Sequence, residues 1–431
     1  MKRMHVIAAL LMMMLALYLP SQALAEGFAL YEWSASGAGM GNNYMFGEED
    51  PAVLAYNPAQ ITKLNGTYFS FGFSWYSAHT KARFNDLGPV NSGMRSDSWD
   101  TEYDPAFAPY MYFVTKSGEN SWWGIGIFSR FGNQIEYDDL WPGRFDTIYS
   151  GLKGITIQPT YAFKINSKLS AAVGLDINYV NLRMQKANLA SAVYSSISPS
   201  YDLYSDLDGN STSLGWVASL MYDFTPKTSI AVVYRSRVKH TMDADMEFES
   251  ALLPALGYPS TKYGTSAHGN VTLPDSLAIG LGHKFDNRTR VELTATWTNW
   301  KTYNALNVGI DNFMTSSSDS QKNWNDVWRF GIGIEHKLNK RWSVLCGYVY
   351  DQSPTPDNCM DFTIPTGNRN LGSIGLKYRP NDHSEVSFAY TGIWAGSRDT
   401  PSHAYGYDYS TAHIYDGFTQ VLSLGYNIKL K

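Results

Sequence analysis

The sequence predicts an all-β protein, a 14-stranded antiparallel transmembrane β-barrel with an N-terminal hatch lodged as a plug in its lumen. Three observations predict it. From Gly66 onward, segments alternate greasy residues with small or polar ones; the connections between them sort into short and long at opposite ends; and an irregular, glycine-rich but aromatic stretch precedes the first segment. The chain therefore divides into residues 1–25 as a signal peptide, 26–65 as the hatch and 66–431 as the barrel.

The leader has a basic start at Lys2 and Arg3, an apolar run from Val6 to Leu19 and the small-residue cleavage site Ala23-Leu24-Ala25. That run is short of the ~20 residues a spanning helix needs, and no other run of such length follows. Residence in a membrane therefore means a barrel, the other structure that satisfies every backbone polar group internally.

In the stretch from Gly27 to Asn65, Gly37, Gly39, Gly41, Gly47, Pro51 and Pro58 interrupt any helix or strand period. Phe28, Leu30, Trp33, Tyr44, Phe46 and Tyr56 make it too apolar for a solvated linker. Something must enclose it.

The barrel segments follow period two. In the last, Leu422, Leu424, Tyr426, Ile428 and Leu430 alternate with Ser423, Gly425, Asn427 and Lys429. A soluble sandwich would bury such an apolar stripe, whereas a membrane barrel turns it to lipid. Connection lengths favour the barrel. Short turns fall near Gly118-Glu119, Asn166-Ser167, Thr225-Pro226, Asp286-Asn287, Asn339-Lys340 and Asn381-Asp382, and long loops over 81–101, 137–152, 186–210, 249–267, 306–323, 355–368 and 396–417. Tight periplasmic turns opposite long outer loops are the outer-membrane pattern, which places the chain in the outer membrane of a Gram-negative bacterium, among its lipids. The ending Gly425, Ile428, Leu430 resembles the signal read by the barrel-assembly machinery, with Lys431 in place of the usual aromatic residue.

Composition agrees, with 15% aromatic but only 17% charged residues and a mean hydropathy of −0.28, as alternating strands average out. A net charge of −5 gives no basic footprint for nucleic acid. Cys346 falls mid-strand and Cys359 in the next outer loop, a poor match to the Cα spacing of a disulfide. The histidines are scattered, G-x-S-x-G is missing, and neither a metal-ligand cluster nor a phosphate loop is present. No catalytic residues, metal or cofactor are expected.

The combination Gly27-Phe28, Leu30, Glu32, Ser34, Gly37, Gly39, Asp50 and Asn57-Pro58-Ala59, followed at once by a strand, resembles the hatch of the FadL family. Leu273-Pro274-Asp275, Trp297 to Trp300 and Asp351-Gln352-Ser353-Pro354 extend the resemblance in order along the chain. These are outer-membrane channels for passive uptake of long-chain fatty acids and related hydrophobic molecules. Burial is worth ~0.8 kcal/mol per methylene, so about fifteen methylenes gain on the order of 12 kcal/mol gross; capture is easy and release is the hard step.

The resemblance implies roles for particular residues. Outer loops would form a hydrophobic capture groove, with Leu189, Val193 and Ile197 on the third and Leu252, Leu253 and Leu256 on the fourth. Arg183 and Lys322 would meet a ligand carboxylate. Gly27, Phe28 and Leu30 would border the inner pocket and gate it, while Asn57, Pro58 and Ala59 stiffen the hatch exit. Gly132 and Asn133 lie where the alternation of the third strand breaks, Gly132 being either an ordinary strand glycine at the top of the barrel or a kink that opens the wall to lateral release. Arg235, Arg237 and Arg329 have inward parity and could pair with Glu48, Glu49 and Asp50. Two alternatives stay open: uptake of aromatic or alkane hydrocarbons by the same architecture, and a general diffusion porin, which should lack the plug.

Overall fold

The computed structural model describes residues 27–365, 367–401 and 407–430, so the signal peptide and Lys431 lie outside the described residues. Fourteen strands close one antiparallel cylinder. They are β1 (Thr67–Phe84), β2 (Ala106–Lys116), β3 (Ser121–Phe128), β4 (Tyr149–Lys164), β5 (Leu169–Asn188), β6 (Leu203–Thr225), β7 (Thr228–Arg235), β8 (Ser276–Lys284), β9 (Thr289–Thr298), β10 (Val327–Lys337), β11 (Trp342–Asp351), β12 (Arg369–Asn381), β13 (Ser384–Ala395) and β14 (Ala412–Lys429). Each pairs with the next, and β14 returns to β1 with Tyr68 opposite Lys429 and Phe84 opposite Ala412. Closure leaves no strand without a partner on either side.

Side chains alternate across the wall as lipid demands. Leu422 and Leu424 are exposed while Ser423 between them is buried; on β10 Phe330 is 47% exposed and Arg329 beside it 2%. The polar lumen is not empty. Residues 28–62 are buried almost throughout, filling the bore as a short helix α1 (Ala35–Gly39), another, α2 (Val53–Tyr56), and a 3₁₀ turn Pro58–Lys63. Ser34 caps α1, accepting from the Gly37 amide at 3.0 Å. Pro58 opens the 3₁₀ turn, and Asn57 before it is extended, as a residue preceding proline prefers.

An irregular segment keeps its backbone polar groups buried only if the wall supplies partners. It does: Tyr112 donates to the Trp33 carbonyl at 2.8 Å, Trp122 to that of Leu64 at 2.7 Å, and Ser74 to that of Glu32 at 3.1 Å. Ser219 on β6 accepts from the Ala59 amide and donates to the Asn57 side chain, whose own amide donates to the Met45 carbonyl. Asn57, Pro58 and Ala59 therefore anchor the segment to the wall. On the opposite side the two backbones nearly touch: a Cβ added at Gly347 on β11 would overlap the Gly41 nitrogen and the Met40 carbonyl.

Arg235 and Arg237 pair with Asp176 and Asp275, not with Glu48, Glu49 or Asp50. Arg235 and Arg130 flank Asp176 at 3.5 and 2.5 Å, and Arg235 also donates to the Ala55 carbonyl. Arg329 donates to the Gly41 carbonyl at 3.2 Å and lies over the Tyr31 ring. Arg237 is 56% exposed on the outer face beside Asp275, because a break after Arg235 shifts its parity. Asp50 instead accepts from Tyr44 and the Ala52 amide. Arg235 and Arg329 also reach inward to carbonyls of the segment, at Ala55 and Gly41.

Beyond the membrane the strands run further than the alternation suggested. β5 and β6 stay paired out to Asn188 and Leu203, and Val238–Glu249 with Lys262–Leu273 forms a ribbon laid along β6. A further hairpin, Ala305–Ile310 and Ser317–Gln321, joins that ribbon. The remaining outer connections close over a cluster of Trp141, Phe362 and Tyr409, with Tyr137 stacked on Trp141 at 4.0 Å. Cys346 is buried on β11, Cys359 lies on an outer turn, and no disulfide joins them.

Candidate functional site

The wall is incomplete at one place. β2 continues along β1 as far as Ala106 opposite Tyr76, but its ladder with β3 stops at Met111 opposite Ile127. β3 is then interrupted: Phe128 faces Thr156 and Gly132 faces Lys153 on β4, so Ser129, Arg130 and Phe131 stand against only Gly154 and Ile155. This is a bulge that bends the strand inward. Pro109, which has no N–H to leave unpaired, sits on the β2 side of the gap. The chain leading into Gly132 and Asn133 is therefore bulged and not a regular continuation of the strand.

A second backbone takes the place that β2 vacates. Ala29 bridges Phe131; the Leu30 amide donates to the Arg130 carbonyl at 2.8 Å, and the Gly132 amide to the Phe28 carbonyl at 2.9 Å. A Cβ at Gly132 would meet Leu30 Cδ1 at 2.8 Å, so glycine permits this approach. Beside the bridge lies a cavity of about 640 Å³, lined among others by Leu30, Tyr31, Phe107, Gly132 and Arg329. Phe107 is 65% exposed outside the wall and Arg329 is buried in the lumen, so residues from both faces of the wall line the cavity.

Deeper, the ring of Phe28 is held by aromatic edges: Trp300 at 4.7 Å, Tyr303 at 5.4 Å, Trp324 at 5.8 Å and Phe131 at 6.0 Å between centroids. Gly27, at φ +57°, turns the chain in against Trp324. Above this cage Lys322 is buried and donates to Asp361 at 2.5 Å and Thr363 at 3.1 Å. Burial works against its charge, but Asp361 prevails and holds the ammonium above the ordinary lysine range; Lys322 in turn holds the half-buried Asp361 below the usual carboxylate range. A ligand carboxylate would reach Lys322 only by competing with Asp361.

The other head-group candidate is not in this site. Arg183 is 46% exposed, forms a bidentate pair with Asp206, and points away from the interior reached by Leu182 and Met184. The groove candidates divide similarly. Leu189, Val193, Ile197 and Leu256 are exposed, and the third and fourth connections touch through the Ala251 amide and the Ser200 carbonyl at 3.0 Å. Leu252 is half-buried, and Leu253 is fully buried beside Phe248, in the core beneath the groove and not on its surface.

Sequence reasoning missed Trp300, Tyr303 and Trp324 as a cage. Their common signal was available: large aromatics at the base of outer connections, off any strand alternation. It also missed the inward glycines of β10 and β11 against which Met40 and Gly41 lie.

A family model described as outer membrane protein transport protein (OMPP1/FadL/TodX) matches residues 16–428. The long-chain fatty acid transport protein of Escherichia coli K12 is 24% identical over 404 residues, covering 85% of this chain and 87% of the relative. Outer membrane protein P1 of Haemophilus influenzae Rd is 25% identical over 410 residues, covering 85% and 86%. Among solved structures, a Pseudomonas aeruginosa FadL homologue superposes with a TM-score of 0.82 at 17% identity, covering 94% of this chain and all of that one. The toluene transporter TodX of Pseudomonas putida does so with 0.70 at 16%, covering 93% and 99%.

Proposed function

The chain belongs to the OMPP1/FadL/TodX family of outer-membrane transport proteins, and from that premise we propose that it is a passive channel for long-chain fatty acids. The exposed outer residues Leu189, Val193, Ile197 and Leu256 capture the ligand; the cage around Phe28 receives it; and movement of the N-terminal hatch releases it sideways through the cavity at Gly132 and Asn133. One observation carries this reading: the strip Phe28–Leu30 is hydrogen-bonded to the kinked wall beside a cavity lined from both faces of that wall. A part that both fills the inner pocket and pins the exit couples binding to release. The hatch, residues 26–65, acts here as the movable domain, with Asn57, Pro58 and Ala59 as its fixed end.

A second reading, uptake of an uncharged hydrocarbon, draws on the internal pairing of Lys322 with Asp361, which already balances the cation near the cage. Equilibrium binding of labelled oleate and of toluene to the purified protein separates the two. The fatty-acid reading expects saturable oleate binding that weakens about tenfold, ~1.4 kcal/mol, in Lys322→Met. Saturable toluene binding without oleate binding transfers the assignment to hydrocarbons, and saturation by neither overturns both.

A further inference from the structure

At the periplasmic mouth, far from the kink, a second cavity of about 440 Å³ opens between the Phe46–Glu49 turn of the hatch and the ends of β6 to β10. Its charges are unevenly matched. Lys63, Lys227, Lys284, Arg290 and Lys337 line it against Glu48, Glu49 and Asp223. Lys63 pairs with Asp223, and Arg290 with Glu292 and Glu335. Glu48 is left to two ammoniums at once, Lys284 on one carboxylate oxygen and Lys337 on the other at 2.8 Å.

Two cations thus converge on a single carboxylate, and all three side chains remain about a third or more exposed. Burial opposes the charge on Glu48, yet the hydrogen bonds from Lys284 and Lys337 outweigh it and hold the carboxyl at about 2. The turn that delivers Glu48 is costly in itself, since Glu49 sits in the left-handed region at φ +53°. It is pinned on its other side by the Phe46 amide, which donates to Glu292 at 3.1 Å.

We propose that this mouth is a carboxylate-binding site occupied from within by Glu48, and that a carboxylate from outside the chain competes with Glu48 for Lys284 and Lys337 and frees the Phe46–Glu49 turn. A carboxylate is the class that fits, because the site already binds one with an ammonium on each oxygen. Lys227, whose ammonium reaches the Phe285 carbonyl at 3.5 Å, adds positive potential at the same rim. The inference rests on this latch and not on the cargo of the channel.

Calorimetric titration of the full-length protein in detergent, with acetate and with decanoate as probes, tests it. Glu48→Gln should bind at least one of the two probes at least tenfold more tightly than the parent, and adding Lys284→Gln and Lys337→Gln should abolish the gain. In the parent, saturating probe should speed hydrogen exchange at the Phe46–Glu49 amides. A gain confined to decanoate identifies an amphiphile leaving the channel, and a gain shared by acetate identifies free carboxylates; either supports the site. If Glu48→Gln binds neither probe more tightly, or if the lysine replacements leave its gain intact, the proposal is overturned. Lys337→Gln alone keeps the test decisive should the double replacement fail to fold: with one ammonium left, it must give an intermediate affinity.

Discussion

Gly347→Ala is expected to leave the barrel closed and to unseat its hatch, raising conductance in planar bilayers at least tenfold. The added methyl has no room, because its neighbours are the backbone atoms of Met40 and Gly41 and no rotamer can move them aside. Overpacking ordinarily costs about 1–3 kcal/mol when side chains can shift; here either the strand or the hatch must yield. β11 is held by ladders on both sides, from Arg329 opposite Asp351 to Trp342 opposite Tyr378. The hatch, held by scattered side-chain bonds and one short backbone bridge, is the weaker element. Gly264→Ala is the control, since a Cβ there meets nothing within 4 Å. Unchanged conductance in Gly347→Ala would mean that the hatch does not stopper the bore.

Phe28→Ala should tighten binding of oleate by tenfold or more. The ring is 4% exposed and fills the cage of Trp300, Tyr303 and Trp324. A ligand entering that cage must first displace it, and emptying a buried phenylalanine site is a change of about 3–5 kcal/mol, of which tenfold affinity uses only ~1.4. Global stability should fall far less, because the ladders that close the barrel do not include Phe28. Equilibrium binding on refolded protein reads the effect, and an affinity equal to or weaker than that of the parent would place the ligand elsewhere.

The barrel was legible because lipid imposes a strict rule on each spanning strand. Leu422 and Leu424 must face hydrocarbon and Ser423 must not, so period two survives over every crossing. Outside the membrane the rule lapses. The stretch Ser205–Ser213 is almost wholly polar, yet it remains within β6, paired with β5 on one side and partly with the outer ribbon on the other. That is why the third, fourth and fifth outer connections read as loops and fold in part as strands. Single-residue roles failed for a related reason, since one step along a strand changes the face. Arg183 and Leu182 are neighbours, but only Leu182 reaches the interior. Lys322 lies on a connection where no parity applies, and whether it meets Asp361 depends on a segment far along the chain. The kink was visible as a broken alternation at Gly132, but its partner was not, because the bridge from Ala29 to Phe131 spans about a hundred residues.

On the proposed function, transport requires the strip Phe28–Leu30 to leave the kinked wall. Ala29 and Phe131 face each other as a non-hydrogen-bonded antiparallel pair, the arrangement with the shorter Cα separation and within reach of a disulfide. The measurement is uptake of labelled fatty acid by cells carrying Ala29→Cys and Phe131→Cys, with Cys346→Ala and Cys359→Ser to remove competing thiols. Oxidation should arrest uptake and a reductant should restore it to the level of the unlocked protein. Equal uptake in the oxidised and reduced states would contradict the account.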